Sequence, residues 1–171
     1  MKNKWVDRKF DFKFNFSIYP EFIQRLRATP DILESLISSI PQNLLKIKIS
    51  QEWSIQENVG HLITVDELFI GRLEDYESGA TSLQPADVSG SRTNKANYNS
   101  DIIQNLLKIF REKRMGYILR LENTDSKLFN KSAWHPRLNK PMRLCDMLYF
   151  QAEHDAHHID KIKYLYQNMK E

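Results

Sequence analysis

Cysteine is almost missing from this 171-residue chain, where Cys145 stands alone. One thiol cannot build an internal disulfide framework, so a reducing cytoplasm is the expected compartment. Glycine and proline are also scarce, at 5 and 6 residues, which fits a chain made mostly of helices. Neither sign of charge dominates: 25 Lys and Arg face 22 Asp and Glu, for a formal charge of +3. No Lys/Arg run of the nucleic-acid type occurs, so nucleic acid is not an expected partner. No stretch approaches the ~18 apolar residues of a membrane span, so no membrane is expected either. The opening MKNKWVDRKFDFKF is basic but lacks the apolar core of a signal peptide.

What is present is ordinary for one globular domain, with 41% apolar and 27% charged residues. Phe10, Phe12, Phe14 and Phe16 alternate with Asp11, Lys13 and Asn15, a period of two that predicts an extended segment with one apolar face. With no sheet to join, it is read as a strap over about the first 18 residues, laid across helices. A first helix is predicted from Pro20 to Ser39, bent or restarted at Thr29-Pro30. The second opens on the capping box Ser54-Ile55-Gln56-Glu57 and runs to Ser78, before Gly79. A third spans Ser100–Glu122, and a fourth, the most informative, spans Leu144–Tyr166. The polar stretch Gly79–Asn99 is too long for a helix hairpin, so the second and third helices can run parallel with a crossover between them.

Leu144, Met147, Leu148, Ile162, Leu165 and Tyr166 lie on one stripe of the fourth helix, and that stripe passes through Gln151, His154 and His158. Histidines at i and i+4 lie about 40° apart around a helix and can share a metal ion. His61, near the start of the second helix, is the natural third ligand if the second and fourth helices are antiparallel neighbours. Three histidines leave one coordination position open, as catalytic zinc sites do. Each residue also has a plainer reading. His61 alone fits a hydrogen-bonded core histidine, and a helical His pair also arises on solvated faces. His157 is turned about 100° from His158 and fits the surroundings of the site or the surface. His135, on the second long loop, fits the site mouth or a simple turn before Pro136. Asp155 gives the segment the H-x-x-x-H frame of zinc proteases with Asp where their Glu stands, but no third ligand follows downstream. Cys145 falls on the far side of its helix from His154.

The pieces Trp53-Ser54, Glu57-Asn58-Val59-Gly60-His61-Leu62, His135-Pro136 and Ala152-Glu153-His154-Asp155-Ala156-His157-His158-Ile159 resemble, in order and spacing, the DinB-like superfamily of metal-dependent enzymes. The resemblance covers nearly the whole chain. It implies an all-α four-helix bundle of up-down-down-up order, one domain over residues 1–171, and a divalent metal, nickel or zinc, on His61, His154 and His158. Relatives include bacillithiol S-transferases and a mycothiol-dependent isomerase. Arg143 stands where a Ser or Thr cap is expected, which weakens the start of the fourth helix.

The expected function is a metal-dependent thiol S-transferase or hydrolase acting on a small molecule, with a low-molecular-weight thiol and a homodimer partner also in view. Glu57 and Asp155 are the candidates for a general base. The alternative is a non-catalytic, stress-related helical protein whose histidines hold a structural metal.

Overall fold

A computed structural model of the chain describes residues 5–169; the opening of the expected strap, residues 1–4, lies outside them. Among the described residues, five α-helices, five short 3-10 helices and one small hairpin make up the regular structure. Pro20 sits in the first turn of α1 (Tyr19–Ser38), where a missing N–H costs nothing. The sequence predicts a bend or restart at Pro30, but α1 runs through it unbroken. Pro30 cannot donate to the carbonyl of Leu26 one turn earlier. Arg114 Nη1 donates to that carbonyl instead, at 3.0 Å, so the gap in the ladder is filled from a neighbouring helix.

Helix α2 (Ile55–Glu77) begins on its capping box. The Ser54 hydroxyl accepts from the Glu57 N–H at 3.1 Å, and the Glu57 carboxylate accepts from the Ser54 N–H at 2.8 Å. The crossover that follows carries a short helix, α3 (Ser91–Ala96), absent from the sequence reading. Helix α4 (Ile103–Glu122) starts three residues later than predicted. Gln56 Nε2 donates to the carbonyls of Tyr98 and Asp101, and the Asp101 carboxylate accepts from the Ile102 N–H at 2.7 Å. Those bonds compete with a first helical turn.

The chain is not all-α. The second long loop forms an antiparallel hairpin, β1 (Ser132–His135) with β2 (Lys140–Arg143), in register Ser132↔Arg143 and His135↔Lys140. Strands of four residues are too short to leave a period in the sequence. The crossover covers one edge: Trp134 N–H donates to Thr81 and Leu83 N–H to Trp134.

Helix α5 (Leu144–Asn168) starts firmly despite Arg143. The Asp146 carboxylate accepts from the Arg143 N–H at 2.9 Å and pairs with its guanidinium at 2.7 Å. The same guanidinium donates to the carbonyls of Phe12 and Phe14, so this arginine also ties down the strap. Strap residues Phe10, Phe12 and Phe14 pack with Phe150 and Tyr149 of α5.

Side-chain contacts give the helix directions. Across α2 and α5 the partners are Asn58–His158, His61–His154, Asp66–Gln151 and Arg72–Met147, numbers running in opposite senses. Across α2 and α4 they run together, from Asp66–Arg114 to Glu74–Arg120. The antiparallel pair sets the level of the histidines.

Candidate metal centre

His61 lies in the second turn of α2, and His154 and His158 lie on successive turns of α5. The opposed run of the two helices brings one ring nitrogen from each within 4.8 Å of the others. His61 Nε2 and His154 Nε2 are 3.4 Å apart. Two metal–nitrogen bonds of ~2.0–2.1 Å at a tetrahedral angle place their nitrogens about 3.3–3.4 Å apart, so the spacing fits a shared ion.

Hydrogen bonds behind two of the three rings, His158 and His61, aim their nitrogens, while His154 Nδ1 is buried without a partner among the described residues. His158 Nδ1 donates to Asn58 Oδ1 at 2.9 Å. The Asn58 amide nitrogen donates to the carbonyls of Ser54 and Trp53, which turns its oxygen towards His158. That leaves the lone pair of His158 Nε2 for a ligand. His61 Nδ1 meets the Thr93 hydroxyl of α3 at 2.9 Å. Trp53 packs at a tilt against His61, with ring centroids 4.7 Å apart, and donates its indole N–H to Asn94 at 2.7 Å. The backbone must come close to admit these rings. A Cβ on Gly60 would lie 2.1 Å from the Tyr98 ring, and Gly90, at φ +72°, would put one 2.7 Å from Trp53.

Burial drives every imidazole here towards its neutral form. His61 is pushed down to about 4 by desolvation first and then by His157. His154 and His158 fall well below the usual value for the same first reason, with the charge of His61 adding to it at His154 and that of His154 at His158. Neutral imidazoles close together offer lone pairs to a cation, the donor set a divalent metal takes.

The other sequence candidates fall elsewhere. Asp155 is buried away from the histidines, where its carboxylate accepts from Arg114 Nη1 at 2.6 Å and from the Thr29 hydroxyl at 3.1 Å. Arg114 also forks onto Asp66, which accepts from Gln151 as well. Glu57 is spent on its capping box and on Lys48 at 2.8 Å. His157 stands half-exposed beside the Trp5 ring. Cys145 is buried and its thiol pushed up to about 12 by that burial, as an inert core cysteine is.

Beside the three histidines opens a cavity of about 340 Å³, walled by Trp5, Trp53, Phe69 and Phe150 and by the polar groups of Arg72, His135 and Arg137. Neither Glu57 nor Asp155 lines it. Asn58 and Thr93 have no role in the sequence reading. Asn58 had a signal, since it precedes His61 by three residues on the same helical face. Thr93 had none, because the path of a crossover is not written in its own residues.

The family model of the DinB superfamily matches residues 25–162. A sequence search of curated proteins returned no match. Among solved structures, YfiT from Bacillus subtilis, described as a probable metal-dependent hydrolase with an unusual four-helix bundle topology, superimposes with a TM-score of 0.82 at 19% identity, over 95% of this chain and 94% of that one. ClbS, a colibactin self-resistance protein solved with a double-stranded DNA, gives 0.70 at 14% identity, over 87% and 95%. The mycothiol-dependent maleylpyruvate isomerase gives 0.68 at 7% identity, over 94% of this chain and 63% of that one. ClbS corrects the expectation that excluded nucleic acid. The even charge balance behind that expectation describes the whole surface, whereas a protein of this fold is seen with a duplex. No helix among the described residues is long and apolar enough to cross a membrane.

Proposed function

Because the chain belongs to the DinB superfamily, we propose that it is a metal-dependent enzyme in which His61, His154 and His158 hold one divalent ion, nickel or zinc, beside a small-molecule cavity. The observation that carries this is the convergence of three neutral imidazoles, two of their nitrogens 3.4 Å apart, with Asn58 behind His158. A divalent ion held there would ionise a thiol outright or lower the pKa of a water towards ~7.

The residues favour thiol transfer over hydrolysis. Both candidate bases are committed elsewhere, Glu57 to the helix cap and Asp155 to Arg114. A bound water attacks best with a positioned base, and a thiolate needs none. Trp5, Trp53 and Phe150 would keep bulk water from the nucleophile and pack against the electrophile. The up-down-down-up order expected from the sequence is supported by the contact senses across α2, α4 and α5. The lone cysteine supports a cytoplasmic setting.

The commitment of both carboxylates also favours a second reading, in which the metal is only structural. A panel of low-molecular-weight thiols and electrophiles, run with metal-free and metal-reconstituted protein, separates the two. Transfer that appears only on reconstitution supports the enzyme. A metal that raises the melting temperature but supports no turnover supports the structural reading. Duplex DNA belongs in the panel as a candidate ligand.

A further inference from the structure

One end of the cavity is lined by buried donors that find too few acceptors. Arg72 is 1% exposed; its Nε and Nη2 both donate to the Gln84 carbonyl, at 3.0 and 2.9 Å, while Nη1 meets only the sulfur of Met147 at 3.8 Å. Arg137 Nη2 is buried with no partner among the described residues. No carboxylate among those residues pairs with either guanidinium, although the surface arginines Arg8, Arg25, Arg92, Arg111 and Arg120 are all paired. Arg72 is thus a buried cation without a paired carboxylate, which is costly, and the half-exposed Arg137 adds a second unpaired charge to the same cavity.

His135 completes the set. Its Nδ1 accepts from the Leu138 N–H at 3.2 Å, so the neutral ring carries its proton on Nε2. That Nε2–H is buried and unpartnered in a residue 0% exposed. The tautomer is opposite to that of His158, whose Nε2 keeps a free lone pair. His135 is therefore a hydrogen-bond donor to the cavity rather than a fourth ligand for a cation. Its ring and the Arg137 guanidinium both lie against Phe150, 5.7 and 5.4 Å from the ring centroid. Burial first, and then the positive charges of Arg72 and Arg137, oppose protonation of His135, which places the three in one electrostatic neighbourhood.

We propose that Arg72, Arg137 and Nε2–H of His135 form an oxyanion subsite that binds a carboxylate or phosphate group of the substrate. The subsite lies beside Phe150 and Met147, about one to two helical turns, or ~6–10 Å, along α5 from His154. The ligand class is thus a small molecule with an anionic group at one end and its reacting group at the other, that distance away. With the Nε/Nη2 edge of Arg72 spent on Gln84, its Nη1, Arg137 Nη2 and the His135 Nε2–H are the donors left for an oxyanion, and donors on guanidinium groups make the stronger, charge-assisted bonds. This rests on the reading of the cavity as a substrate site and names the class of substrate it takes.

The test is a titration of the full chain with succinate and with inorganic phosphate against chloride at matched ionic strength, followed by the ¹⁵N resonances of the His135 ring and by thermal shift. Metal-free and metal-loaded protein are compared. Saturable binding is expected in both forms, weakened about ten-fold or more in Arg137→Gln and kept in His158→Ala, which removes a metal ligand only. Preference for succinate assigns a carboxylate and preference for phosphate assigns a phosphate ester; both support the subsite. Arg137 is half-exposed, so its variant stays testable even if Arg72→Met does not fold. Binding that requires the metal, or that is equal in Arg137→Gln and the parent, overturns the proposal. Loss of metal binding with the anion response intact would instead defeat the metal reading alone.

Discussion

Nδ1 of His158 donates to the side-chain oxygen of Asn58 at 2.9 Å, and this bond selects the nitrogen that His158 turns towards His61 and His154. Groups that orient a ligating histidine typically carry 10–100-fold in metal affinity. Asn58→Leu should therefore weaken metal binding by about that factor, measured by competition with a chelator. Asn58→Asp keeps an acceptor and should retain more of the affinity. Unchanged binding in Asn58→Leu would reduce the contact to packing.

Arg114 is 0% exposed and holds three partners, the carboxylates of Asp66 and Asp155 and the Leu26 carbonyl that Pro30 leaves open. Removing one side of a buried ion pair costs about 3–5 kcal/mol, because the remaining charge stays desolvated. Arg114→Met should destabilise the fold by roughly that amount in urea unfolding. Arg114→Lys should recover little, since a single ammonium cannot fork to three acceptors. A loss below about 1 kcal/mol in Arg114→Met would show that one aspartate protonates and relaxes instead.

These two residues mark how far the sequence can be read. The long helices were legible from apolar spacing and the capping box at Ser54, and the histidine pair from its i, i+4 placement. His61 followed as third ligand on the condition that the second and fourth helices run antiparallel, and the family resemblance implied the same three residues. What was not legible depends on contacts between distant segments. Arg114 fills the Leu26 carbonyl that Pro30 leaves open from 88 positions away in the chain. The hairpin at 132–143 has strands too short for a period, and the crossover that hydrogen-bonds its edge at Trp134 is distant in sequence. Asp155 is motif-adjacent yet points to Arg114, because a residue next to a ligand on a helix faces about 100° away from it.

Acid should unfold the metal-free protein. His135 is held down to about 3 and His61 to about 4, both by burial first. The reference value is 6.5, so between these limits the unfolded chain binds protons that the fold refuses. Their stabilising effect is complete above about pH 6.5 and is lost as pH falls towards the folded values. Urea midpoints of chelator-treated protein should be lower at pH 5 than at pH 7. Equal midpoints would mean that these rings are solvated and free to charge.

Gly60 admits the Tyr98 ring, whose hydroxyl meets Thr64 at 2.7 Å. Gly60→Ala should cost about 1–3 kcal/mol through overpacking, seen as a lower melting temperature. Adding Tyr98→Ala should relieve the clash, so the pair should be less destabilised than the sum of the two changes. Simple additivity would show that the ring moves aside freely.

The central claim is one shared ion on three histidines, and metal content of protein purified without a histidine tag tests it most directly. Elemental analysis should find one divalent ion per chain, nickel or zinc, in the parent and in His157→Ala. His61→Ala, His154→Ala and His158→Ala should each lose it while keeping the helical circular dichroism of the parent. A folded His158→Ala that retains a full complement of metal would contradict the account.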